Sequence, residues 1–228
     1  MTAANPSLPG HERRPTGNAR AARSGERGCA SSSEPHPLDA VPGKAQEVRI
    51  IAGRWRGRPI SAPAGQATRP TSDRAREGLF SMLASRIGSF EGLRVADLFA
   101  GSGALGLEAL SRGAAHCTFI EKDRGALASL KTNVERLGAG EHSEIRGQTV
   151  EHGSSPSEPF DLVLMDPPYA TDLAQAALDR LASGKWLAPG AWISVELSGK
   201  VLDLPAGLRE EAERRFGKAR IILIRNSG

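Results

Sequence analysis

From residue 93 onward, short apolar runs alternate with stretches whose apolar residues recur every three to four positions. Residues 93–99, 117–121, 143–147, 160–166, 190–197 and 219–225 read as strands, and residues 104–112, 124–137 and 172–183 as helices. Such alternation predicts an α/β fold, with helices on both faces of a mostly parallel sheet and ligands at the carboxyl ends of its strands. Ahead of it, Val48, Ile50 and Ile51 form a short strand, Gly53 and Gly57 punctuate the chain, and Pro59-Ile60 opens a second extended run. Residues 48–62 therefore predict a β-hairpin. Thr71 or Ser72 then caps a helix on which Ala75, Leu79, Met82, Leu83 and Ile87 share one face while arginines occupy the other. Residues 151–159 are rich in Ser and Pro where a helix would be expected, so the sheet is predicted to lack a flanking helix there.

Residues 1–46 change the picture, being rich in Pro, Gly, Ser, Arg and Ala with hardly any aliphatic residues. They bury too little apolar surface to offset their ordering entropy and predict a disordered basic leader. The chain thus divides into that leader, an N-terminal hairpin and helix at 47–90, and the alternating domain at 91–228. Glu12, Glu26, Glu34 and scattered prolines argue against reading the leader as an amphipathic targeting helix. No apolar run approaches the roughly 18 residues needed to cross a bilayer. Cys29 lies in the polar leader and Cys117 in an apolar strand, so a disulfide is not expected, and the protein is expected to be cytoplasmic, reduced and monomeric.

Net charge is only +4, but Arg49, Arg54, Arg56, Arg58, Arg69, Arg74, Arg76 and Arg86 crowd one segment. That distribution points to a polyanionic partner, with a merely solvated arginine surface as the alternative. The predicted hairpin turn, Arg54-Trp55-Arg56-Gly57-Arg58, suits RNA: arginines on phosphates, the indole stacked on a base. The competing reading packs Trp55 down on the domain. Asp73 and Glu77 read as ion-pair partners of neighbouring arginines.

Two motifs bear chemistry. Asp97-Leu98-Phe99-Ala100-Gly101-Ser102-Gly103-Ala104-Leu105-Gly106 follows a strand and opens a helix, which lets the backbone approach a ligand closely. Glu121, twenty residues after Gly101 at the end of the next strand, is placed to accept hydrogen bonds from ribose hydroxyls. The loop implies an adenosine cofactor without saying which. Asp97 favours one with a methionine ammonium group. The second motif, Asp166-Pro167-Pro168-Tyr169, ends an apolar strand. Consecutive prolines stiffen the turn and leave the Pro167 carbonyl a free acceptor. If Asp166 and that carbonyl accept the protons of a base amino group, its lone pair leaves conjugation and can attack a methyl sulfonium, with Tyr169 stacked on the base. Such a transfer needs no metal and no covalent intermediate. The five histidines show no spacing suited to a metal.

The segments Arg49 to Arg58, Arg69 to Arg74, 97–110 and Asp166 to Tyr169 together resemble the bacterial small-subunit ribosomal RNA guanine-N2 methyltransferase family, over residue 48 to the C-terminus. The resemblance implies a Rossmann-like, seven-stranded class I methyltransferase sheet with an N-terminal hairpin and helix. It further implies S-adenosylmethionine as donor and a guanine of 16S ribosomal RNA, naked or in a subunit assembly intermediate, as acceptor. Carried over, Asp97, Phe99, Gly101, Ser102 and Gly103 line the donor, Glu121 takes its ribose, and Asp166, Pro167 and Tyr169 handle the base. Arg54, Trp55, Arg56, Arg58, Arg69 and Arg74 would face RNA. Gln148-Thr149 stands where the family shows a small acidic or amide residue against adenine, which makes Thr149 the expected contact. N6 of adenine and N4 of cytosine remain open as acceptors, because all three amino groups are planar. A nicotinamide oxidoreductase would suit the glycine loop, but Leu173 stands where a tyrosine-lysine pair would need its lysine. A non-catalytic RNA-binding module is the other rival, set against intact Glu121 and Asp166.

Overall fold

The computed structural model describes residues 48–62, 70–168, 172–199 and 201–228. The predicted leader, Arg69 and Tyr169 lie outside the described residues. Strands β1 (Val48–Arg49) and β2 (Pro59–Ile60) form the expected hairpin, in antiparallel register with Val48 opposite Ile60. Helix α1 (Pro70–Ile87) follows, and it begins ahead of Thr71 and Ser72, so neither is the N-terminal cap expected of them. The alternating region comprises β3 (Arg94–Leu98), α2 (Ala104–Ser111), β4 (His116–Glu121), α3 (Arg124–Leu137), β5 (Ser143–Gly147), β6 (Phe160–Met165), α4 (Leu173–Ser183), β7 (Leu187–Leu197), β8 (Leu208–Phe216) and β9 (Ala219–Asn226). Residues 151–159 hold turns and no helix, as their composition predicted. No helix among the described residues is long and apolar enough to cross a membrane.

The seven strands lie in the order β5-β4-β3-β6-β7-β9-β8, with only β9 running against the rest. Winding proceeds outward from β3 to β5, then jumps back to β6 on the other side of β3. That switch point opens a crevice beyond the carboxyl ends of β3 and β6, where parallel-sheet proteins bind ligands. Both chemical motifs emerge there, one from each strand.

Side-chain alternation sorts the sheet into two faces. Val95, Cys117, Phe119, Leu162, Leu164, Ile221 and Leu223 meet α1, α2, α3 and the hairpin residues Val48, Ile50, Trp55 and Ile60. Ala96, Leu98, Ile120, Val163, Met165, Ile193 and Val195 meet Ala174, Ala177, Leu178 and Leu181 of α4 together with Trp186. The hairpin and α1 thus share a core with the sheet. By the same alternation Asp97, Glu121, Asp166 and Glu196 all belong to the first face, at or just below its carboxyl edge.

The hairpin is fastened by polar groups buried in the helices. Glu108 of α2, fully buried, accepts from the Ile51 and Ala52 amides at 2.7 and 3.0 Å and pairs with Arg112 at 2.7 Å. Ser111 Oγ accepts from the Trp55 amide at 3.0 Å, and its backbone carbonyl accepts from the Arg54 amide at 2.8 Å. Asn133 of α3 closes the other side: its amide oxygen accepts from Ser61 N at 2.8 Å, while its Nδ2 donates to the Ser61 and Ser102 carbonyls, both at 2.9 Å.

This docking corrects the expectation for Trp55. Only 8% exposed, the indole sits in the core beneath Arg54, whose guanidinium lies 4.1 Å from the ring centroid. A ring whose outer face is covered by its neighbour, and whose backbone is bound to Ser111, presents no free platform for a base. Ion pairing of Asp73 is as expected, with Arg76 at 3.1 Å.

Candidate active site

The glycine loop leaves β3 through a strained backbone. Phe99 has φ of 65°, the left-handed region that only glycine enters freely, and it is the sole non-glycine residue there among the described residues. Strain of this kind persists only where the surroundings over-determine it. Gly101 and Gly103 follow with φ of 55° and 82°. A Cβ on Gly101 would meet only the Phe99 carbonyl, at 4.0 Å, so this turn borders open space. On Gly103 a Cβ would lie 2.4 Å from Leu130, which shows how tightly the inner side of the loop is packed. The loop is therefore a cradle: closed beneath, open above.

Two carboxylates hold its shape. Asp97, 1% exposed, accepts from the Gly106 amide at 2.8 Å, and burial pushes its carboxyl well above the usual aspartate range against the opposing pull of that bond. Glu121 accepts from Gly101 N at 2.8 Å through Oε2, and from the Lys122 and Asp123 amides at 2.7 and 2.8 Å through Oε1. Asp97 is thus tied through Oδ2 to the helix end of the loop. Glu121, half-buried at the end of β4, bounds the cradle on its β4 side. Ser102 is held through its carbonyl by Asn133. Thr149, two residues beyond β5, bonds His152 Nδ1 through its hydroxyl at 3.0 Å.

Across the crevice, Asp166 leaves β6 with Pro167 buried behind it. Helix α4 takes Asp172 as its N-terminal boundary residue, six positions on, so capping that helix does not account for Asp166. Residue 166 as a whole meets solvent, yet enough protein surrounds its carboxyl to cost it hydration. Lost hydration first, and the neighbouring Glu196 carboxylate second, push its carboxyl up to about 7. Asp166 thus stands at the same switch point as the open cradle, at the end of the neighbouring strand.

The predicted RNA residues fall elsewhere. Arg54, Arg56 and Arg58 are exposed, with Arg58 donating to the Arg136 carbonyl at the end of α3. Arg54 is bound at Ser111, the last residue of α2, whereas the cradle opens the same helix. The tip therefore lies about 12 Å, one eight-residue helix length, below the crevice. Arg74 is exposed on α1. The anchors Glu108, Ser111 and Asn133 were not singled out in the sequence, although a lone acid inside the apolar run Ala104–Ser111 was a usable signal.

Comparison with known proteins gives the fold a family. The family described as conserved hypothetical protein 95 matches residues 48–225. Ribosomal RNA small subunit methyltransferase D of Haemophilus influenzae is 43% identical over 160 residues, 68% of this chain and 81% of that protein. The chain belongs to the ribosomal RNA small subunit methyltransferase D family. Its namesake in Escherichia coli is 42% identical over 150 residues, 66% of this chain and 74% of that protein. The solved structure of a putative methyltransferase from Escherichia coli superposes with a TM-score of 0.71 at 34% identity, spanning 80% of this chain and 99% of the other. Membership of the methyltransferase D family sets aside the nicotinamide oxidoreductase, and the sheet is the class I methyltransferase sheet expected from the resemblance.

Proposed function

We propose that this chain transfers a methyl group from S-adenosylmethionine to the exocyclic N2 amino group of a guanine in small-subunit ribosomal RNA. The observation that carries the reading is the convergence, at one switch point, of an open glycine cradle and a rigid Asp-Pro-Pro corner. The names of the relatives supply the substrate class.

The cradle residues fit the donor. Gly101 leaves room for it, Phe99 and Ser102 flank it, Glu121 has one acceptor site remaining, on Oε2, for a ribose hydroxyl, and Thr149 borders the position for adenine. Asp97 acts by fixing the loop through Gly106. Bound S-adenosylmethionine supplies a methyl carbon made electrophilic by its sulfonium.

Asp166 and the Pro167 carbonyl accept the two amino protons of the base, which localises the nitrogen lone pair and aims it into the cradle. Tyr169, next along the chain, is the proposed stacking partner. After attack the nitrogen is acidic, and its surplus proton passes to Asp166 or to water. Only the ionised carboxylate can serve. With the Asp166 carboxyl held at about 7, kcat/KM for RNA should climb about tenfold per pH unit below that value and level off above it. A flat profile between pH 5.5 and 8.5 would exclude Asp166 as the titrating acceptor.

The exposed arginines of the hairpin tip, with Arg74 on α1, are proposed to bind backbone phosphates beside the target. Replacing Arg54, Arg56 and Arg58 together by alanine should weaken RNA binding and reduce the slope of log affinity against log salt by about 2 while sparing donor affinity. An unchanged slope removes the tip from the interface. The reading as a whole is tested by mass mapping of modified nucleosides in small-subunit RNA with and without the gene. Loss of N2-methylguanosine at one position is the expected result, and loss of a methylated adenine would overturn the guanine assignment.

A further inference from the structure

Strand β7 lies beside β6 in parallel register, with Met165 opposite Val195 and Leu164 opposite Ser194. One step further along both strands stand Asp166 and Glu196. Parallel neighbours in register present their side chains to the same side, about 4.8 Å apart. Ile193, Val195 and Leu197 alternate into the core under α4, which leaves Glu196 on the opposite face, the one shared with Asp97, Glu121 and Asp166. Glu196 is half-buried at the crevice edge of an otherwise buried strand segment, Ala191 to Leu197. The nearness of the two carboxylates is also felt electrostatically, since Glu196 helps to hold the Asp166 carboxyl up.

A pair of acceptors on one rim has a definite complement among the bases. Guanine presents two adjacent donors, the 2-amino group and the ring N1–H. Adenine and cytosine present an amino group beside an unprotonated ring nitrogen, whose lone pair would face a carboxylate and be repelled. We propose that Glu196 is a specificity-determining residue that accepts the N1–H of the target guanine while Asp166 and Pro167 hold its 2-amino group. The assignment rests on the acceptor reading given above and deepens it: the corner activates the amino group, and Glu196 identifies the ring that bears it.

The test uses small-subunit RNA ligated to carry either guanine or 2-aminopurine at the mapped position, assembled into particles if naked RNA is not a substrate. 2-Aminopurine keeps the 2-amino group but has no proton on N1. The native protein should favour guanine on the order of 30-fold in kcat/KM, the worth of one charge-assisted hydrogen bond. Glu196→Gln can donate its amide to an unprotonated N1, so its preference should shrink to within about threefold, with donor affinity kept. A role limited to folding or to holding the strand would lower both substrates by one factor and leave the ratio unmoved. Equal use of the two bases by the native protein, or an unchanged ratio in Glu196→Gln, overturns the assignment. Failure of the native protein to methylate the guanine particle instead overturns the acceptor reading itself, and this inference with it.

Discussion

Asp166→Asn is expected to lower methyl transfer by about 10^3-fold while donor affinity changes by no more than about twofold. The amide keeps the shape of the carboxyl and one acceptor oxygen, so the base can still dock, but it carries no charge to draw the amino protons out of the ring plane and takes up no proton afterwards. Because the lost interaction is made chiefly in the transition state, the drop belongs in kcat rather than in KM. The same variant carries its own folding control. The Asp166 carboxyl titrates near 7 in the folded chain, above the ordinary aspartate range of the unfolded one, so ionisation works against folding. The neutral form's contribution is present at acid pH and is lost as pH rises towards 7. The melting temperature of Asp166→Asn should therefore gain on that of the native protein between pH 4 and 7 and hold a constant lead above. An inactive variant that melts below the native protein at pH 8 would point to misfolding. Turnover within about tenfold of native in Asp166→Asn removes the carboxylate from the chemistry.

The sequence was most informative where one physical demand outweighed the others. Strands β3, β4, β6 and the second half of β7 are largely buried on both faces and show as predominantly apolar runs, and helices α3 and α4 alternate apolar and polar positions at helical spacing. Strand β8, Leu208-Arg-Glu-Glu-Ala-Glu-Arg-Arg-Phe216, went unread because it is an edge strand with a bulge at Glu210 to Ala212, and its charges sit on both sides. Such charges guard an open edge against pairing with another chain, and they erase the alternation by which a strand is recognised. The glycine cradle and the Asp-Pro-Pro corner could be placed because each needs backbone geometry that few residues supply. Trp55 was misplaced for the converse reason: an aromatic among arginines has the same composition whether its ring faces RNA or the core. What decides is Ser111, 56 residues away, whose hydroxyl binds the Trp55 amide.

The hairpin's position changes how RNA contact must be pictured. Its strands leave Ser61 beside Ser102, both held by one Asn133 side chain, so the hairpin base adjoins the donor cradle while its arginine tip lies at the far end of α2. An RNA whose target base enters the crevice would run down this flank to reach the tip, a span well within the width of a duplex. Orientation of the base then depends on how rigidly the hairpin is held to α2.

That rigidity should fail in Glu108→Ala. Glu108 is fully buried and satisfies three donors at once: the amides of Ile51 and Ala52 and the Arg112 guanidinium. Its removal leaves two hairpin amides and a largely buried cation without their acceptor. Arg112 would retain only its stacking on Phe80, 4.8 Å from the ring centroid, and the more distant Phe90. Breaking a buried pair from one side typically costs about 3–5 kcal/mol, because the surviving charge stays desolvated. In a domain of this size that corresponds to a fall in melting temperature of about 10 °C. Glu108→Gln keeps one oxygen for an amide but replaces the other with a donor that clashes with its partner, so it should fall between native and alanine. Amide exchange should localise the damage, with Ile51, Ala52 and Trp55 losing protection before the strands of the sheet. A Glu108→Ala loss under about 1 kcal/mol would mean that the apolar contacts of Ile50, Trp55 and Ile60 dock the hairpin by themselves, each side chain contributing about 1.5–3 kcal/mol. The carboxylate would then only set the hairpin's register on α2, and RNA affinity rather than stability would register its absence.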